Sequence, residues 1–425
     1  MTLNRRDFLK VSGAGAAVAL TGCAAQGGSA ASSSSAKAHV VVVGAGFGGA
    51  TCAKYLRTWG PNIDVTLIEP NDKFVSCPIS NWVLAGMKSM DDITHSYDKL
   101  SRHGIKMVKD YVTGVDTAKK VVTTKGGASI AYDRLVLAPG VEVLTDSVKG
   151  YKEASAAGKV VHAWKAGPET AMLRKQLEEM PDGGVFVMSV PTAPYRCPPG
   201  PYERACLVAN YFKKAKPKSK IILLDGNPDV ASKKGLFMDA WNNLYPGMIE
   251  YRPNNAPAAV DGGRMVVTTE FDDVKADVMN VVPKQRAGEV CGLAGVRNDS
   301  TGTWCTVNLA TFESTTVPNV HVLGDSVLSN LPKSGHMANN HAKVCAAAIV
   351  ELVAGRQPNP IPVVANTCYS ATSDTTAGHV ANVFRFEAGK GYVTQPDGGA
   401  TGKGDELNFS YAESWAQNIW TDILG

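Results

Sequence analysis

The stretch Pro194-Tyr195-Arg196-Cys197-Pro198-Pro199-Gly200-Pro201-Tyr202-Glu203-Arg204-Ala205-Cys206 sets two cysteines and four prolines behind the apolar run Val185-Phe186-Val187-Met188-Ser189-Val190. Cys197 stands in a loop stiffened by fixed proline torsions, just ahead of a predicted helix from Tyr202 to about Lys214. A helix N-terminus lowers a thiol pKa, so redox or nucleophilic sulfur chemistry is within its reach. A rigid loop around an incidental buried cysteine is the plainer alternative. Glu203, near the helix start, could shuttle a proton or could simply be a first-turn acid favoured by the helix dipole.

A second constellation lies upstream. His39-Val40-Val41-Val42-Val43 reads as a β-branched strand, Gly44-Ala45-Gly46-Phe47-Gly48-Gly49 opens a helix running to about Trp59, and Asp64–Glu69 is the next strand. Gly44 makes the tight turn, Gly46 lets backbone approach a pyrophosphate, and Gly49 lets helix and strand pack closely. Glu69 closes the pattern as the acceptor for ribose hydroxyls. Strand, glycine triplet, helix, strand and terminal acid together predict a dinucleotide site.

The Cys197 loop belongs to another such unit, with strands Gly184–Val190 and Ser219–Asp225 around the helix. Here the glycine fingerprint is absent, and Pro198, Pro199 and Pro201 remove backbone N–H donors that would hold a pyrophosphate. That argues against NADH as electron donor.

Strands near Ile105–Val108, Val112–Val115, Val121–Thr124 and Ser129–Tyr132 read as a β-rich insert. The following Tyr132-Asp133-Arg134-Leu135-Val136-Leu137-Ala138-Pro139-Gly140 resembles the return crossing of FAD-dependent pyridine nucleotide-disulfide oxidoreductases. Val320-His321-Val322-Leu323-Gly324-Asp325 resembles that family's second FAD motif, which implies that Asp325 holds the ribityl chain. The helix after Lys333-Ser334-Gly335 would aim its positive end at the flavin ring. The implied fold is α/β, with two Rossmann-like dinucleotide-binding domains of the glutathione reductase type and a small α+β C-terminal domain.

Four runs narrow the resemblance: Phe74-Val75-Ser76-Cys77-Pro78-Ile79-Ser80-Asn81, the segment Tyr195–Ala205, Pro332-Lys333-Ser334-Gly335, and Asn366-Thr367-Cys368-Tyr369-Ser370. They resemble the flavoprotein subunits of flavocytochrome c sulfide dehydrogenases, from about His39 to the C-terminus. The resemblance implies that Cys77 binds FAD covalently through the flavin 8-methyl group. It also implies that Cys197 and Cys368 form a redox-active disulfide beside the flavin. Pro78 departs from the pattern by standing where an aromatic residue is expected.

The implied reaction is attack of hydrosulfide on the disulfide, passage of two electrons to FAD and their release to a c-type cytochrome subunit. Sulfur would leave as elemental sulfur or polysulfide. No Cys-x-x-Cys-His run occurs, so haem is expected only in that partner, and no cysteine or histidine cluster has metal-site spacing. Two alternatives stand beside this reading: a sulfide:quinone oxidoreductase-like enzyme and a non-catalytic electron-transfer flavoprotein subunit.

At 425 residues the chain exceeds one ordinary core. The expected division is a leader and tether over 1–38, an FAD domain over 39–149 and 284–357, a second Rossmann-like domain over 150–283 and a C-terminal domain over 358–425. Of the formal charge of +4, half comes from the leader, where Arg5, Arg6 and Lys10 outweigh Asp7. This balance predicts neither nucleic-acid binding nor a strongly acidic substrate.

Asn4-Arg5-Arg6-Asp7-Phe8-Leu9-Lys10, followed by a short Gly/Ala-rich run, reads as a twin-arginine signal. A periplasmic protein carrying a large cofactor is expected. Leu20-Thr21-Gly22-Cys23 resembles a lipoprotein cleavage box, which would tether the protein to the membrane through a lipid on Cys23, while Ala36-Lys37-Ala38 offers an ordinary cleavage site. Cys52, Cys206 and Cys345 read as core positions.

Overall fold

The computed structural model describes residues 37–425. The twin-arginine motif and Cys23 lie outside the described residues. A seven-stranded sheet has the order Val307–Asn308, Glu313–Ser314, Val320–Val322, Arg134–Leu137, Ala38–Val43, Ile63–Ile68, Ile105–Val108. Its last five strands are mutually parallel, and the first two add an antiparallel edge. Val40, Val41 and Val42 are fully buried, as expected of a central strand covered on both faces. Each such side chain contributes roughly 1.5–3 kcal/mol of burial.

Ile105–Val108 is a correction. It extends the main sheet, pairing with Val65–Ile68, and leaves only Val112–Asp116, Val121–Thr124 and Ser129–Ala131 as the separate three-stranded piece. All four segments are short and rich in Val, Ile and Thr, so composition alone does not say which strand pairs with which.

A second parallel sheet has the order Val160–Val161, Val278–Asn280, Val185–Val190, Lys220–Asp225, Ile249–Arg252. The helix after Val185–Val190 covers Gly200–Ala215, two residues earlier than predicted. Pro201 sits in its first turn, where a missing N–H costs no helical hydrogen bond.

Near the C-terminus, Val363–Ala371, Ala377–Glu387 and Gly391–Thr394 form an antiparallel sheet. The final helix spans Glu406–Leu424. Asp405 caps it, accepting from Asn408 N at 2.7 Å. Among the described residues no helix is long and apolar enough to cross a membrane.

Candidate functional site

A cavity of about 510 Å³ opens between the first nucleotide fold, the Cys77 segment, the Cys197 loop and the C-terminal sheet. It is lined by Gly44, Gly46, Glu69, Cys77, Cys197, Glu203, Gly324, Asp325, Gly335 and Cys368. Among the predicted site residues Gly49 alone stands back from it.

The reason is geometric. A Cβ on Gly49 would lie 1.7 Å from the Gly44 carbonyl oxygen, so this glycine permits helix and strand to meet. Gly44 has φ of +93°, which an L side chain resists. Over Gly46 no protein atom comes within 4 Å of a would-be Cβ, and no side chain caps the helix Phe47–Trp59. Its first N–H groups are thus available to phosphate. Glu69 Oε2 accepts from Ala45 N at 2.7 Å and Oε1 from Asn71 N at 3.0 Å, fixing the acid at the strand end.

On the far side, Asp325 Oδ1 is buried without a hydrogen-bond partner, and burial raises its pKa against the pull of Arg196 and Lys333. Such an orphan acceptor fits the hydroxyls of a ribityl chain. Lys333 Nζ donates to the Asp325 and Val327 carbonyls at 2.8 and 2.6 Å. Burial lowers its pKa to about 8. Ser334 caps the helix Gly335–Val353 by accepting from Met337 N, and Gly335 lies against the Phe47 ring.

The three cysteines arrive from separate elements. Cys77 follows the strand Lys73–Val75, and the neighbouring Ser76 hydroxyl donates to Pro78 O at 2.9 Å and accepts from Trp420 Nε1 at 2.9 Å. Cys197 holds a left-handed φ of +58°, with its N–H on Lys333 O at 2.8 Å and its carbonyl accepting from Gly200 N. Cys368 lies on the strand Val363–Ala371, where Lys233 Nζ donates to its carbonyl at 2.9 Å and meets its Sγ at 3.7 Å. All eight described cysteines are free thiols, Cys197 and Cys368 among them. Cys52, Cys206 and Cys345 are fully buried core residues, as are Cys291 and Cys305.

The expected low pKa at Cys197 is overturned. Burial pushes the thiol well up, negative charge at Cys368 and Glu203 adds to the rise, and Arg196 opposes it. A helix end is worth about 0.3–1 kcal/mol, whereas each pKa unit of desolvation is about 1.4 kcal/mol, so burial wins.

Glu203 is also raised by burial. Its two oxygens accept from Ala371 N and Asn81 Nδ2, each at 2.9 Å, which ties the helix start to the strand bearing Cys368.

Sequence reasoning assigned no role to Arg196, Asn81, Arg204 or Lys233. Arg204 is almost fully buried and donates to Asn81 Oδ1, His162 O, Asn280 Oδ1 and Ala163 O at 2.7–3.1 Å. The available signal was two arginines flanking Cys197 in an otherwise apolar, proline-rich stretch.

In the second fold, the acid that would meet a ribose is already used. Asp225, at the end of Lys220–Asp225, is fully buried and accepts from Tyr202 OH at 2.7 Å, Tyr251 OH at 3.0 Å and Asn227.

Family models match three successive parts of the chain: pyridine nucleotide-disulphide oxidoreductase over 38–173, the central part of the sulfide dehydrogenase [flavocytochrome c] flavoprotein chain over 170–283, and the flavocytochrome c sulphide dehydrogenase flavin-binding part over 360–424. The sulfide dehydrogenase [flavocytochrome c] flavoprotein chain of Chlorobaculum thiosulfatiphilum is 66% identical over 45 residues, 11% of this chain and 94% of that sequence. The chain belongs to the flavocytochrome c sulfide dehydrogenase flavoprotein family.

It is thus an α/β flavoprotein of the oxidoreductase class, and the glycines, Glu69 and Asp325 that line the cavity fit FAD. Residues 2–22 match a twin-arginine translocation signal, which directs export. The mitochondrial sulfide:quinone oxidoreductase of Dictyostelium discoideum is 28% identical over 310 residues, 69% of this chain and 66% of that protein, just under two thirds of its length. The solved sulfide:quinone oxidoreductase of Aquifex aeolicus shares the fold, with a TM-score of 0.72, 20% identity and coverage of 91% of each chain.

Proposed function

We propose that this family member oxidises sulfide through a Cys197–Cys368 disulfide and passes the electrons, by way of FAD, to a c-type cytochrome subunit that carries the haem. The observation that carries this reading is the convergence of Cys197 and Cys368, from distant parts of the chain, on the FAD cavity beside Glu203. Hydrosulfide attacks one sulfur of the disulfide, the S–S bond breaks, and a persulfide forms on one cysteine while the other leaves as thiolate. Glu203, held protonated by burial over a wider pH range than an exposed acid, exchanges the proton. Lys233 offers a cation at the Cys368 end. FAD, when bound, supplies a two-electron acceptor that can release electrons singly. Cys77 anchors it covalently, and the protein works in the periplasm. The same reading divides the chain at 149/150, 283/284 and 357/358.

Anaerobic titration tests the reading. Sulfide should bleach the flavin and NADH should not, and Cys197→Ser should abolish sulfide bleaching; full bleaching of Cys197→Ser would refute the disulfide route. The likeness to sulfide:quinone oxidoreductases favours quinone as a second acceptor reading, and comparing reoxidation by a soluble quinone and by cytochrome c decides between them.

A further inference from the structure

Arg196 belongs to the Cys197 loop, yet its side chain reaches a different cysteine. Nη2 donates to Cys77 Sγ at 3.0 Å and to the Trp164 carbonyl, while the backbone N–H donates to Gln285 Oε1 at 2.9 Å. The residue is therefore held at its backbone and through Nη2, and its Nε is buried without a partner. Trp164 Nε1 donates back to the Arg196 carbonyl at 3.1 Å, closing a small cycle around the cation. The other charged or ionisable groups facing it are Asp325, Lys165 and Cys197. A sulfur fixed 3.0 Å from a permanent cation is one on which negative charge is stabilised.

We propose that Arg196 is the positioning residue for covalent flavin attachment, holding Cys77 Sγ by a hydrogen bond and steadying the negative charge that develops on it as the bond forms; this rests on the reading that Cys77 carries the flavin. In that step the thiol proton leaves, Sγ forms an S–C bond to the 8-methyl carbon, and one C–H bond of that methyl group breaks. The freed electron pair enters the ring, reducing it by two electrons. The electrons then pass to a one-electron haem acceptor or to dioxygen. Arg196 takes no part in the bonds made and broken.

The test uses the full chain, produced without flavin and then mixed with FAD, comparing the parent with Arg196→Gln, Arg196→Lys and Cys77→Ser. FAD content is read by absorbance, and covalent attachment by flavin retained in the acid-precipitated pellet and by the mass of the Cys77 peptide. Arg196→Gln should attach flavin roughly ten- to a hundredfold more slowly, the worth of a hydrogen bond to a charged group. Arg196→Lys should be intermediate. Attachment by Arg196→Gln at the parent rate, or Arg196→Lys no faster than Arg196→Gln, overturns the proposal.

Alkylation of Cys77 by iodoacetamide in flavin-free protein provides a readout independent of FAD: Arg196→Gln should react more slowly near neutral pH, and an equal rate also overturns it. A colourless parent pellet together with slowed alkylation would sink the covalent reading of Cys77 and leave the Arg196–Cys77 link standing.

Discussion

Replacing Asp325 by Asn should move the flavin-free and flavin-bound proteins in opposite directions. Asp325 Oδ1 is buried with no partner from the protein, and burial is the main reason its pKa is raised. In flavin-free protein this carboxylate is a cost: the native state holds its proton to higher pH than the unfolded chain does. Its contribution is therefore fully present below the ordinary value of 3.8 and is lost as pH rises through the folded value. Asn keeps the shape without the charge, so flavin-free Asp325→Asn should be at least as stable as its parent at pH 7, with a flatter dependence on pH.

Binding reverses the sign. A ribityl hydroxyl donating to a carboxylate makes a charge-assisted bond worth about 1.5–3 kcal/mol, against about 0.5–1.5 for the amide. The loss of about 1–2 kcal/mol weakens FAD binding roughly 5- to 30-fold. Titration of flavin-free protein by flavin fluorescence, in a Cys77→Ser background so that attachment does not mask affinity, measures the loss. Urea unfolding without FAD measures the other half. An unchanged Kd, or a flavin-free variant clearly less stable than its parent, would refute the reasoning.

Gly49→Ala should yield protein without bound FAD, because the new Cβ would sit 1.7 Å from the Gly44 oxygen; a normally yellow product would contradict the close-packing argument. Arg204→Met leaves Asn81 Oδ1, Asn280 Oδ1 and Ala163 O without a donor, while His162 O keeps Asn280 Nδ2, and at about 1–3 kcal/mol for each unsatisfied group should lower the urea midpoint clearly. An unchanged midpoint would show that the burial of this arginine adds nothing to stability. Asp422 gathers Tyr55 OH at 2.6 Å, Asn339 Nδ2 at 2.7 Å and Lys343 Nζ at 2.7 Å around the last helix. Asp422→Ala should loosen that helix and hasten limited proteolysis within Glu406–Leu424, and protection equal to the parent's would exclude the anchoring role.

What could be read directly were features set by neighbours in the chain. The strand before Gly44, the clash that makes Gly49 necessary and the acid at Glu69 all lie within one βαβ unit, so spacing alone specifies them. Cys197 was legible as a position and misread as an environment. Its helix lies next to it in sequence, but burial is joined by charge at Cys368 on a distant strand and at Glu203, which is itself pinned by Ala371 and Asn81. Desolvation is a sum over everything packed around a group, and no local window contains that sum. Arg196 was missed for the same reason, since its partner Cys77 lies in the first third of the chain.

Asp225 shows how a contact made at long range can strengthen a local inference. The prolines of the Cys197 loop argued against a nicotinamide cofactor because they remove pyrophosphate donors. The structure adds an independent loss at the other end of such a ligand: Tyr202, Tyr251 and Asn227 occupy the carboxylate that a ribose would need. Restoring glycines to the loop alone should therefore leave NADH unable to bind. Freeing Asp225 alone should fail as well, because its burial raises the pKa and disfavours the charged acceptor. Tyr202 belongs to the same first helical turn as Glu203, so the residue that occupies Asp225 also helps set the helix start that faces Cys197 and Cys368. The occupation of Asp225 and the placing of Glu203 are thus linked through one turn of helix.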